Sequence, residues 1–196
     1  MKLTITKNDA LVLVDIQNDF CTGSLAVPNA LSIIDKANIY IDLFKNENRP
    51  IFATRDWHPK NHSSFKDFGG IWPVHCVQNT FGSMFYKDLK LPDSTDIISK
   101  ATNSDKDAYS GFDGTDLDEK LKKLNIKRLF IGGLATDYCV KATVLDALFL
   151  GYTALFLKDA SKAVNINKDD EKKSIDEMLQ AGAILVNLND ITQFLR

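Results

Sequence analysis

No stretch of this sequence is apolar enough to cross a membrane. The longest apolar runs are about five residues, where a spanning helix needs roughly 20. Basic residues are not in excess either. The net charge is −2 at pH 7 with a pI near 5.9, so there is no electrostatic footprint for nucleic acid or an anionic membrane. Cysteine is scarce. Cys21, Cys76 and Cys139 are odd in number, widely spaced and free of any CxxC pair, which argues against a disulfide framework or a thiolate zinc site. The segment from Met1 to Lys7 lacks the apolar stretch of a secretory signal. These absences together predict a cytoplasmic protein. No repeat, low-complexity tract or linker divides the chain, so its 196 residues are expected to form one domain, 1–196. A monomer or a small homo-oligomer would fit equally.

What is present is alternation. Ala10–Val14 is wholly apolar, the mark of a strand buried on both faces. From about 29 to 44, Ile34, Ala37, Ile41 and Phe44 step by three and four, which is helical spacing. Strands are predicted at 51–54, 96–99, 128–131, 154–157 and 183–186. Helices are predicted at 115–123, 136–150 and 170–180. Gly132-Gly133 is read as the break that ends the fourth strand. Repeated β-α alternation with apolar strands implies a three-layer α/β/α fold with a mostly parallel sheet. The stretch from about 56 to 90, with Pro59, Gly69-Gly70, Pro73 and Gly82, is too long for a plain connector. Such excursions often carry function.

In a parallel sheet of this kind ligands bind beyond the carboxyl ends of the strands. The residues just after each apolar run are therefore the candidates: Asp15; Arg55 to His58; Lys100; and, past the glycine pair, Ala135, Thr136 and Cys139. With Thr136 as N-cap, Cys139 falls in a first helical turn. Free N–H groups there favour a thiolate and could hold an oxyanion. The same position suits a buried structural cysteine. Asp15 could cap a turn, yet it follows five apolar residues, where an unpaired acid is rare. Lys100 is a fitting partner that would favour the anionic forms of Asp15 and Cys139, although any one lysine taken alone is better read as a surface group.

All three histidines, His58, His62 and His75, lie within eighteen consecutive residues. Asp56 and His58 are two apart and share a face in an extended segment. One Asp and two His suit a divalent ion with open positions. His62 is read as a group behind the ligands, and Cys76 as packing. Phe20, Trp57, Trp72 and Tyr109 are core or the walls of an aromatic slot.

Five stretches, in order, resemble the isochorismatase-like cysteine hydrolases, and within them the nicotinamidases. They are Val14–Phe20, Arg55–Pro59, Trp72–Gln78, Lys100 with Tyr109–Phe112, and Gly133–Val140. One departure is Asn79, where many relatives carry glycine. The resemblance implies a six-stranded sheet, a triad of Asp15, Lys100 and Cys139, and a metal held by Asp56, His58 and His75. It also implies a cis peptide at Leu134-Ala135, an oxyanion hole from the N–H groups of Ala135 and Cys139, and a pyridine ring between Phe20 and Trp72. The ion implied is one divalent metal, zinc foremost, with manganese or iron as alternatives. The reaction implied is hydrolysis of nicotinamide to nicotinate and ammonia through a Cys139 thioester, in NAD salvage, with pyrazinamide as a side substrate. The rivals are a related hydrolase acting on another small amide or carbamoyl compound, a non-catalytic binding protein, and a metal-hydroxide hydrolase in which Cys139 is structural.

Overall fold

The computed structural model describes residues 2–192; the outer limits of the expected domain, 1 and 196, lie outside them. Six strands form one sheet: β1 (Asp9–Val14), β2 (Ile51–Asp56), β3 (Asp96–Lys100), β4 (Arg128–Leu134), β5 (Thr153–Lys162) and β6 (Ile184–Val186). Their order is β3-β2-β1-β4-β5-β6 and every pairing is parallel. The order reverses between β1 and β4, each of which starts a wing of the sheet. That is the switch point where a crevice opens in doubly wound folds.

The helices are α1 (Asn18–Cys21), α2 (Ile34–Asn46), α3 (Leu117–Lys123), α4 (Lys141–Phe149) and α5 (Asp170–Gln180). Alternation along β1 explains the two cores. Leu11 and Leu13 join Tyr40, Ile41 and Phe44 of α2 on one face, while Ala10, Val12 and Val14 join Leu121 of α3, Val144 of α4 and Met178 of α5 on the other. A strand covered on both sides has little room for polar residues, which is why Ala10–Val14 is apolar throughout. The helical face predicted from Ile34, Ala37, Ile41 and Phe44 is the buried face of α2. Its first predicted turn is instead a short 3-10 segment, Ala30–Ile33.

Two expectations change. Gly132-Gly133 does not end the fourth strand, which runs on to Leu134. Gly133 has φ +133°, and a Cβ there would collide with the backbone of Val14, its partner on β1. The glycine is present for that close approach rather than as a breaker. Strand β5 extends to Lys162, well beyond 157, because its register against β4 shifts between Ile131 and Gly133 and pairing resumes at Ser161. Gly133→Ala is expected to cost about 2–4 kcal/mol through the φ and the collision together. Urea unfolding checks this, and an unchanged midpoint would mean that β1 and β4 have slack at their ends.

Candidate active site

The carboxyl ends of β1, β2, β3 and β4 deliver Asp15, Asp56, Lys100 and Ala135 to one end of the sheet. Asp15 turns the chain there with φ +50°. Its Oδ1 accepts the Thr54 hydroxyl at 2.6 Å. Its Oδ2 lies 3.0 Å from Lys100 Nζ and has no hydrogen-bond partner among the described residues. Lys100 is buried and reaches four groups. It pairs with Asp15 and Asp56, donates to Ala108 O at 3.0 Å, and lies 3.5 Å from Cys139 Sγ. Asp15, Asp56 and Cys139 each place an oxygen or sulfur within 4.8 Å of the others.

The Leu134-Ala135 peptide is cis. The N-cap of the next turn is Ala135, not Thr136, and Thr136–Val140 is a π-helical turn in which Val140 N–H reaches Ala135 O at 3.1 Å. This corrects the assignment of Thr136 as N-cap. The wider turn takes Thr136 inside it and leaves its hydroxyl buried and unpaired. Neither the N–H of Ala135 nor that of Cys139 donates to a turn or loop carbonyl, and both residues line the cleft.

Electrostatics correct a second expectation. Burial pushes the Cys139 thiol well above its usual range, and Asp15 and Asp56 add to the rise against the lowering effect of Lys100. Burial also raises Asp15, with Lys100 opposing. Burial works against the Lys100 ammonium, yet the two carboxylates override it and hold the cation well above its ordinary value. These directions favour the protonated thiol over the thiolate. One cation among two carboxylates and a thiol, all out of water, is too little positive charge to keep three anions.

Beside this cluster, Asp56 Oδ2 lies 3.8 Å from His58 Nε2 and 3.9 Å from His75 Nε2. His58 Nδ1 faces His75 O at 3.1 Å and His75 Nδ1 faces Pro73 O at 2.7 Å. With each Nδ1–H donating to a carbonyl, both Nε2 lone pairs are left to converge on the carboxylate. His58 Nε2 is a buried atom without a hydrogen-bond partner. Burial first, then the neighbouring His75 and His62, lowers His58 to a pKa of about 3, so it is neutral and ligand-ready at neutral pH. The donor set fits a divalent ion. His62 stacks on His58 at 4.2 Å and spends its nitrogens on Ser64 Oγ and Lys106 O.

A cleft opens beside these groups, lined by Cys139, Ala135, Asp56 and His75 and by Phe20, Trp72, Tyr109 and Tyr138. Phe20 tilts against His75 at 5.6 Å. Trp72 donates its indole N–H to Tyr109 Oη at 3.0 Å and meets Tyr138 edge-on at 5.2 Å. Trp57 is not in this wall; the Arg55 guanidinium covers its ring at 3.6 Å. Cys76 is buried in the core.

Several positioning groups had no role in the sequence reading. The Gln17 amide accepts Asp56 N–H and donates to Asp56 O, both at 2.8 Å, and so fixes the end of β2 from the end of β1. Asp19 accepts Cys76 N–H at 2.7 Å and holds the turn that presents His75. Gln17 and Asp19 both stand in the Val14–Phe20 stretch, which was the available signal. Thr54, which donates to Asp15, carried none.

A doubly wound α/β protein with a buried Cys-Lys-Asp cluster beside an Asp-His-His set is a hydrolase-type architecture with a metal-binding shape. The sequence matches the isochorismatase domain over residues 9–190, and the chain belongs to that family. It is 41% identical to the nicotinamidase of Escherichia coli, across 92% of this chain and 95% of the relative. The crystal structure of the pyrazinamidase of Pyrococcus horikoshii in complex with zinc is similar, with TM-score 0.89 and 49% identity over 92% of this chain and 99% of that one. A protein of L. infantum in complex with nicotinate aligns with TM-score 0.91 and 31% identity over 98% and 99% of the two chains. Among the described residues no helix is long and apolar enough to cross a membrane.

Proposed function

We propose that the protein is a nicotinamidase, an amidohydrolase that converts nicotinamide to nicotinate and ammonia by way of a thioester on Cys139, as a step of NAD salvage. The observation that carries the reading is Lys100 standing 3.0 Å from Asp15 and 3.5 Å from the Cys139 sulfur, under a cleft walled by aromatic side chains. The names of the relatives agree with it.

Asp15 takes the Cys139 proton through Oδ2, the oxygen that the Thr54 hydroxyl does not occupy. Its raised affinity for a proton suits a base that must deprotonate a raised thiol. Lys100 stabilises the thiolate as the charge moves from oxygen to sulfur. Sulfur adds to the carboxamide carbon, and the N–H groups of Ala135 and Cys139 receive the oxyanion. The oxyanion collapses, the C–N bond breaks, and Asp15 delivers its proton to departing ammonia. Asp15 then takes a proton from water as that water adds to the thioester. The C–S bond breaks, and the proton returns to sulfur as nicotinate leaves. Phe20 and Trp72 hold the ring flat between them.

Asp56, His58 and His75 would hold the divalent ion, zinc ahead of manganese or iron. Bound there, it would supply a Lewis acid for the pyridine nitrogen and so fix the ring orientation. The test is ammonia release from nicotinamide by purified protein, with and without a chelator. Release that falls on chelation and returns with a divalent ion is expected. Pyrazinamide should also turn over. No ammonia from nicotinamide, with turnover of another small amide or a carbamoyl compound, would move the enzyme to a different branch of the family.

A further inference from the structure

Asp107 lines the same cleft and has no part in the proposed reaction. It sits on the segment after β3, and that segment is pinned to the site from three sides. Ser63 N–H donates to Ser104 O at 2.7 Å, His62 Nε2 faces Lys106 O at 3.2 Å, and Lys100 Nζ donates to Ala108 O at 3.0 Å. The carbonyls on both sides of Asp107 are thus tied, one to the histidine pair and one to the buried lysine. Its Oδ1 accepts the N–H of Ala108 at 2.9 Å, and its Oδ2 accepts no hydrogen bond among the described residues. A carboxylate oxygen of Asp107 and ring nitrogens of His58 and His62 all lie within 4.8 Å of one another.

His62 has both nitrogens engaged, whereas the Nε2 of buried His58 is unpartnered. The carboxylate of Asp107, a partly exposed group, is a further anion beside His58, in a cluster whose own carboxylate, Asp56, is already shared with Lys100. A dication among two neutral imidazoles and one carboxylate that a lysine also claims is short of negative charge. An added anion a few ångströms away corrects that.

We infer that Asp107 is a metal-affinity residue: its charge, held over His58 by the tied 104–108 segment, sets how tightly the Asp56-His58-His75 site retains its divalent ion. The inference rests on the metal assignment under the proposed function, and the test separates the two. Apo protein is titrated with zinc against a chelating indicator, for the wild type, Asp107→Asn and Asp107→Glu, with His58→Ala as the control that removes the site. The wild type and Asp107→Asn should each bind one ion, with the dissociation constant of Asp107→Asn raised roughly 10- to 100-fold. Asp107→Glu, which keeps the charge, should recover most of that loss. The melting temperature of the apo form should be the same for the wild type and Asp107→Asn, because the isostere still fills the space and still accepts from Ala108. A wild type that binds no ion sinks the metal assignment itself. A wild type that binds while Asp107→Asn binds equally well, within about two-fold, overturns the role of Asp107 alone.

Discussion

Cys139→Ala is expected to lower ammonia release from nicotinamide by roughly 10⁴-fold or more, with the fold unchanged. The size reflects what the sulfur does. On the proposed thioester route the variant forms no covalent intermediate, and what remains is the residual effect of oriented binding and the two N–H donors, which covers only part of a rate enhancement. The fold survives because the thiol lies at the cleft wall and alanine leaves a gap that opens to the cleft rather than a closed core cavity. Two further readouts accompany the assay. The variant keeps nicotinamide affinity, since Phe20, Trp72 and the Asp56-His58-His75 set are untouched. Rapid quenching of the wild type with nicotinamide is expected to give a Cys139 adduct by mass spectrometry, and the variant none. Full turnover by Cys139→Ala would sink the thioester route and leave direct attack by water as the mechanism.

Lys100→Met has the largest expected effect on stability. Methionine keeps the length of the side chain and removes the charge, so packing is nearly conserved while Asp15 and Asp56 lose their shared cation. Uncompensated buried charge left by deleting one partner costs about 3–5 kcal/mol. Activity goes with it, because the thiolate loses its only nearby cation among the described protein groups. The pH dependence gives the sign. Asp15 has its proton affinity raised by burial even with Lys100 present, and removing Lys100 removes the main opposing influence. A carboxyl whose folded pKa is raised stabilises the fold below its unfolded value, near 3.8, and that contribution is lost as pH rises through the folded value. The deficit of Lys100→Met against the wild type, measured in chelator, is therefore smallest near pH 4 and grows toward neutrality. A variant as stable as the wild type at pH 7 would mean that the two carboxylates do not depend on the lysine.

Local pattern was enough for much of this protein. The apolar run at 10–14 and the mostly apolar stretches at 51–54 and 128–131 identify buried strands because a strand covered on both faces has little room for polar side chains. Once the strands are placed, Asp15, Asp56 and Lys100 stand at strand ends by simple adjacency, and the histidine cluster is visible by counting. Even there, adjacency along the chain left each residue an alternative: a capping acid, a surface lysine, a structural cysteine. The ordered motifs narrowed those alternatives, but they did so by likeness and not by geometry.

What the tertiary structure alone decided are the quantities that depend on residues far apart in sequence. The order β3-β2-β1-β4-β5-β6 brings positions 15, 56, 100 and 139 to one spot, and no periodicity encodes strand order. A helix end and a lysine favour a thiolate, yet the sum of burial and two carboxylates raises the thiol instead, because desolvation is set by the whole surrounding shell. Gly133 reads as a breaker until Val14 is seen against it. Gln17, Asp19 and Thr54 acquire meaning only through the distant backbone or carboxylate each one reaches. The residues of a segment determine what that segment can bury; only the assembled sheet determines which charges must share one dry cavity.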